Sequence, residues 1–427
     1  MMNDQYDNVI STSSPEARDY YVDGVDRVLG GQAGIADAFE KAVMADPGFA
    51  LGYAGLARGH QFSGNLAGAK VALQKARELN HGLDAREQSH LHALGLLLDG
   101  KGAEAYLAIR AHVDNYPRDA LIAQTCSSVF GLIGFSGKPG REAELLAYNA
   151  ALLPHYGEDW WCLNQYAFAL CETGNLDKAD SVIDQSLALN PLNANAAHVR
   201  SHVYYENGET KLGIDFLTNW LESYDRGGYL HGHLSWHTAL WSLELGDVDD
   251  MWQRLKTDIQ PGVSQGLPIN VLTDTASLLY RAELAGVLVS DAYWSEISQY
   301  AQQLFPKTSL GFVDFHAALA HAMAGEVEAL EHIIDSPNPL TGELVTAIAR
   351  AYQAIVQQHW EEAIHLLASS MADHARLGGS RAQRDILEYS LIAALLKLGR
   401  KDEAKRLLML RRPALADTQS LRGLNAH

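Results

Sequence analysis

Along most of this chain apolar residues return at i, i+3 and i+4, the spacing of one buried helix face. A glycine follows each such stripe, and a second stripe follows the glycine. Around Gly174 the pattern is full. Tyr166 and Ala167 precede the glycine, Leu176, Ala179, Ile183 and Leu189 follow it, and Pro191 stops the second stripe. Gly208 lies 34 residues further on (208 − 174). The arrangement recurs around Gly64, Gly100 and Gly399, with weaker copies at Gly30, Gly134, Gly246, Gly286, Gly325 and Gln358. The glycine lets the chain turn between antiparallel helices, and small residues beside it let them approach closely. One hairpin cannot bury its own apolar face, so neighbours must stack.

A 34-residue period is that of the tetratricopeptide (TPR) helix pair. The pattern therefore predicts an all-α, TPR-like α-solenoid of about ten helix pairs, curled into a superhelix around a central cavity. No stretch reads as a run of strands. Three segments are expected within one continuous solenoid: N-terminal repeats over 1–159, central repeats carrying a site over 160–330, and C-terminal repeats with a cap over 331–427. Longer connections at 135–142, 223–232 and 260–270 stretch the array without ending it. The final PALADTQSLRGLNAH reads as a cap and tail.

Hydrophobic residues form 47% of the 427, enough for a large core. The net charge of −19 repels phosphate backbones and anionic lipid surfaces, so neither nucleic acid nor membrane is an expected partner. No apolar run reaches the roughly 18 residues of a membrane span, and the N-terminus has no basic start or apolar stretch of a secretory signal. The three cysteines, Cys126, Cys162 and Cys171, make no CxxC pair, so a reducing cytoplasm is the expected setting.

Against this background one segment stands out. HGHLSWHTALWSLELGD, residues 231–247, ends like a repeat helix yet holds His231, His233 and His237. In a TPR pair the first helix lines the concave surface through roughly its second, fifth, ninth, twelfth and thirteenth positions. In the repeat starting at Ala194 these are Asn195, His198, His202, Tyr205 and Glu206. His198, His202 and Glu206 follow i, i+4, i+8, which makes one stripe. The preceding repeat offers Trp161, Asn164, Phe168 and Glu172, and the following one His233, Trp236 and His237. Three adjacent repeats then turn imidazoles, aromatics and carboxylates toward one hollow.

The same residues carry a family resemblance. DWW (159–161), HVRSHVYYENGETKLG (198–213), HLSWHTALWSLELGD (233–247), DTASLLYRAELAG (274–286) and DFHAALAHAMAG (314–325) follow in order. From Trp160 to about Leu330 the chain resembles the tetratricopeptide repeat protein 38 family. The resemblance implies a helical-repeat protein and carries no general reaction with it. It picks out His198, His202, Glu206, His233, Trp236, His237, Asp274, Arg281, Asp314 and His316. Asn164 stands where members of that family often have a histidine.

Three functions fit this pattern. The first is a small-molecule site with proton-transfer or hydrolytic chemistry, since imidazoles give and take protons near neutrality. It would use His202, His237, Asp314 and His316 as catalytic groups. Trp160, Trp161, Asn164, His198, Glu206, His233, Trp236, Asp274 and Arg281 would bind the ligand, with Arg281 on a carboxylate or phosphate or else in a plain salt bridge to Asp274 or Glu283. The second is a divalent metal site on His198, His202, His233 and His237, paired at i, i+4, with Glu206 or an aspartate completing the shell. There is no HExxH, and Arg281 nearby would oppose metal loading. The third is a TPR scaffold holding a peptide or partner protein, for which Arg58 and Gln61 offer inward groups. Whether a cofactor is needed, and whether the chain is an enzyme, stay open at this level. A thiol nucleophile at Cys162 or Cys171 has little support, and no GxGxxG or Walker loop precedes a helix.

Overall fold

A computed structural model describes residues 2–413. The expected tail from Ala414 onward lies outside the described residues. Among the described residues are 22 α-helices, the last spanning Lys401–Arg411. Sequential helices pack as antiparallel hairpins, and the hairpins stack, so the chain is an all-α, TPR-like solenoid. Met2–Asn3 and Val9–Ile10 add a short antiparallel ladder that the hydrophobic pattern did not predict. Among the described residues no helix is long and apolar enough to cross a membrane.

The turns follow the glycines. Gly64, Gly100, Gly174, Gly208, Gly246, Gly286, Gly325 and Gly399 all have positive φ. At Gln358 the same turn is made without glycine, at φ 60°. Two positions differ from expectation. Gly30 ends the helix Pro15–Gly30, and Gly31 makes the turn at φ 69°. Gly134 is no hairpin glycine, because Ala120–Ser127 is a short helix that runs into irregular turns before Arg141–Tyr156.

The stacking is continuous across the expected segment limits. Arg141–Tyr156 packs on Trp160–Glu172, and Val327–Asp335 packs on Gly342–Val356. The apolar core falls into two clusters that meet at the helix Ala194–Asn207. That helix is also where the solenoid closes on itself. Pro15–Gly30 reaches it from the N-terminal side, where Asn195 Nδ2 donates to Leu29 O at 2.9 Å and the Tyr224 hydroxyl donates to Gly31 O. From the other side comes Arg381–Lys397, which also touches Pro268–Leu284. Polar straps hold it: Arg384 pairs with Glu142, Arg141 Nη2 donates to Gly379 O at 2.7 Å, and Arg412 Nη1 meets Asp385 at 2.9 Å.

The helix His231–Leu245 is enclosed by its neighbours Thr210–Leu221, Val248–Arg254, Leu255–Ile259 and Pro268–Leu284. Its residues from His231 to Ser242 are all buried, which one-sided packing cannot achieve. Its packing against the preceding helix is tight. A Cβ on Gly213 would lie 2.4 Å from the Trp241 ring, so only glycine lets the indole seat there.

A buried four-histidine cluster

Two helices bring the imidazoles together. Ala194–Asn207 is started by Asn193, whose side chain accepts from Ala196 N, and it carries His198 and His202 one turn apart. His231–Leu245 carries His233 and His237 with the same spacing. All four are buried, and one ligand nitrogen from each lies within 4.8 Å of the others. Nε2 of His198 sits 2.8 Å from Nε2 of His202 and 2.9 Å from Nε2 of His233. The His237 ring is 4.7 Å from that of His202 and 5.0 Å from that of His233, centre to centre.

Protons alone do not satisfy this arrangement. His233 Nδ1 donates to Asp274 Oδ2 at 2.8 Å, so in a neutral ring its Nε2 is a lone pair. If His202 Nε2 donates to His198, the lone pairs of His198 and His233 face each other at 2.9 Å. If His198 instead carries the proton, the hydrogen of His202 moves to Nδ1, which is buried without a partner. Protonating His233 moves the conflict to the His198–His202 contact. Both nitrogens of His237 are also buried without a partner.

Electrostatics keeps three of the rings neutral. Burial, reinforced by His202 and His233, holds His198 well below the usual imidazole range. Burial and His233 pull His202 down to about 3. His237 is lowered well below the usual range by burial first, then by the other three rings and Arg281. Burial raises the Asp274 carboxyl, while His233, Gln383 and Asn270 pull it down. Phe168 lies 4.9 Å from the His202 ring, and Trp236 stacks on His233 at 5.2 Å.

One side of the cluster meets a cavity of about 260 Å³. His198, His233, Asn164, Phe168 and Asn270 line it. Asn164 is fully buried, and neither atom of its amide has a partner.

The other residues singled out in the sequence stand elsewhere, each for a visible reason. Arg281 pairs with Asp385 at 2.5 Å and donates to Ala382 O at 2.8 Å, so it is spent on the Arg381 helix rather than on Asp274 or Glu283. Glu283 accepts from Trp294. Asp314 sits at the start of Gly311–Ala324, accepting from Ser309 N and Asn338 Nδ2. His316 donates Nδ1–H to Phe312 O at 2.8 Å, within its own helix, and stands outside the cluster. Glu206 faces Arg381 at 3.4 Å. Trp161 is core packing against Tyr156, and Trp160 lies beside Gly30. Trp236 flanks the cluster but hands its Nε1–H to Ser277. The thiols are inert: burial pushes Cys126 and Cys162 up to about 12 and Cys171 well above its usual value.

A second cluster escaped the sequence reading. His90, His112 and Asp119 converge near the N-terminus. Here Arg86 Nη1 meets Asp119 at 2.6 Å, beside His90 at 2.9 Å and His112 at 3.2 Å. Burial pushes Asp119 up, but His90, His112 and Arg86 outweigh it and hold it well below the carboxylate range. The guanidinium already supplies the cation, so this is an ion-pair hub. Arg86 and His90 share the helix Ala85–Leu98 at i, i+4, but His112 and Asp119 come from later chain, so the cluster as a whole left no pattern to read.

No family model matches the chain. Similar solved structures include human IFIT1 in a dimer with m7Gppp-AAAA, at 15% identity and a TM-score of 0.46, over 98% of this chain and 96% of that one. Yeast Tom70 is similar at 16% identity and a TM-score of 0.36, over 96% of this chain and 85% of that one.

Proposed function

We propose that this protein is a metal-dependent, small-molecule-binding helical-repeat protein. His198, His202, His233 and His237 would hold one divalent transition metal at the wall of the inner cavity. The support is the convergence of one nitrogen from each of four buried rings within 4.8 Å; a metal there would remove the clash of Nε2 lone pairs, leaving the hydrogens of His202 and His237 on their outer nitrogens. Asp274 adds to it, since a carboxylate on the far nitrogen of a ligating imidazole fixes the tautomer and raises ligand basicity. The Nε2 contacts are shorter than the roughly 3.3 Å that a tetrahedral site with about 2.0 Å bonds would set. Loading would therefore spread the rings by about half an ångström.

The resemblance to the tetratricopeptide repeat protein 38 family belongs to the same reading, because the four histidines are among the residues it picks out. Imidazole ligation favours zinc, copper, nickel or iron over calcium or magnesium. Four histidines fill a tetrahedral shell, so the ion, reached from the cavity past His198 and His233, would polarise a ligand oxygen only on taking a fifth ligand. A purely organic His/Asp/Arg catalytic set has less support, with Arg281, Asp314 and His316 engaged elsewhere. An open peptide groove also has less, since Arg381–Lys397 lies against the inner helices.

Elemental analysis of the purified protein, and of the apo-protein after zinc is added back, tests this. Close to one zinc is expected per chain, lost on His237→Ala with the helical content unchanged. Absence of stoichiometric uptake by folded wild-type protein overturns the proposal.

A further inference from the structure

The inner cavity continues outward. A second chamber of about 690 Å³ adjoins it, and Arg58, Gln61, Phe130 and Phe135 border both. Arg58 thus stands at the waist between them. Its Nη1 donates to Gln61 Oε1, its Nη2 donates to Gln124 Oε1 at 3.0 Å, and its guanidinium lies over the Phe62 ring at 4.4 Å. Its Nε has no partner. Among the described residues no carboxylate oxygen lies within 4.0 Å of it.

That isolation is unusual in a chain with 52 acidic residues and 33 basic ones. Arg58 is half-buried, and among the described residues even the fully buried arginines all have acids: Arg86 has Asp119, Arg281 and Arg412 share Asp385, and Arg141 and Arg384 share Glu142. Burial lowers the Arg58 guanidinium to about 10, which leaves it charged at neutral pH. A half-buried cation with no acidic partner is a ready site for an anionic ligand. Gln61 and Gln124 sit in contact with it, and each has an amide NH₂ that can turn toward the same anion. Beyond the waist the outer chamber is walled by Leu97, Leu107, Leu132, Leu310 and Leu340. On the inner side Asn164 presents its unpartnered amide.

We propose that the double cavity takes an organic oxyanion, its carboxylate or phosphate paired with Arg58 and its apolar body among the leucines of the outer chamber. The inner chamber, with Asn164 and the histidines, is left for a polar group of the same molecule. This deepens the reading above, because it names the ligand class of the same hollow, yet the anion pairing needs no metal.

Octanoate, octyl phosphate, octanol and octylamine, titrated calorimetrically into metal-free and zinc-loaded protein, test it. At least one of the two anions should bind about tenfold or more tighter than octanol, and octylamine weakest of all. Arg58→Lys should keep part of the preference, and Arg58→Gln should abolish it while zinc uptake stays normal. The tighter of the two anions names the headgroup. Equal binding of octanol and both anions, binding of none, or an unchanged preference in folded Arg58→Gln overturns the proposal. If Arg58→Gln fails to fold, the anion-to-alcohol ratio of the wild type decides. A protein that prefers the anion but takes up no zinc sinks the metal reading and leaves this one standing.

Discussion

Replacing Asp274 by asparagine isolates the metal reading from the packing of its helix. The carboxylate accepts from His233 Nδ1 at 2.8 Å, and both residues are buried, so the contact is a charge-assisted hydrogen bond out of water. Asparagine keeps the shape and an acceptor oxygen but removes the charge that makes His233 Nε2 a better donor to a metal. Outer-shell partners of this kind are worth about 10- to 100-fold in metal affinity, or about 1.4 to 2.7 kcal/mol. The apo-protein should change less, because the lost hydrogen bond is offset by release of a carboxylate whose burial is unfavourable. At free zinc a hundredfold above the wild-type Kd, zinc stabilises the wild type by about 2.7 kcal/mol. A hundredfold weaker variant would gain only about 0.4 kcal/mol under the same conditions. Competition with a chromophoric chelator gives the affinity, and urea unfolding with and without zinc gives the stabilisation. A folded Asp274→Asn protein with wild-type zinc affinity refutes the reasoning, since Asp274 would then be an ordinary partner of a core histidine.

Other perturbations probe the frame. Asp385→Ala leaves Arg281 and Arg412 buried without their shared carboxylate and should cost about 3 to 5 kcal/mol in urea unfolding; a loss below about 1 kcal/mol would mean that closure does not depend on this knot. Burial raises Glu172 from its ordinary 4.5 to about 7, with Glu142 and Glu206 opposing Arg384. The folded state therefore holds a proton that the unfolded chain has lost between those values. Relative to Glu172→Gln, wild-type stability should fall as pH rises from 4.5 to 7, by up to about 3 kcal/mol, and a pH-independent difference contradicts this. Gln358 holds φ at 60°, so Gln358→Gly should raise the melting temperature through a gain of up to about 1 kcal/mol; a lower melting temperature argues against strain at that turn.

The sequence by itself determined the architecture. Stripes at i, i+3 and i+4, broken by glycines at a TPR period, leave stacked hairpins as the way to bury the apolar faces, and the turns fall at Gly64, Gly174, Gly208 and Gly399. Even Gln358 was legible as a turn, because the flanking stripes demand one there. Paired spacing also put His198 with His202 and His233 with His237, since i and i+4 lie on one helix face whatever surrounds it. Tertiary structure alone decided what met that face. Arg281 and Asp314 sat on equally suggestive helices, but their partners Asp385 and Asn338 lie on chain whose approach no local pattern encodes, while His316 turns back to Phe312 O of its own helix. Arg58 is the converse case. The sequence marked it, with Gln61, only as an inward group of a partner-binding scaffold, and the absence of a carboxylate near it in space gives it a different meaning. The physical reason is one of range: helix periodicity acts over a few residues, whereas burial of a charge and closure of a solenoid depend on chain more than a hundred residues away.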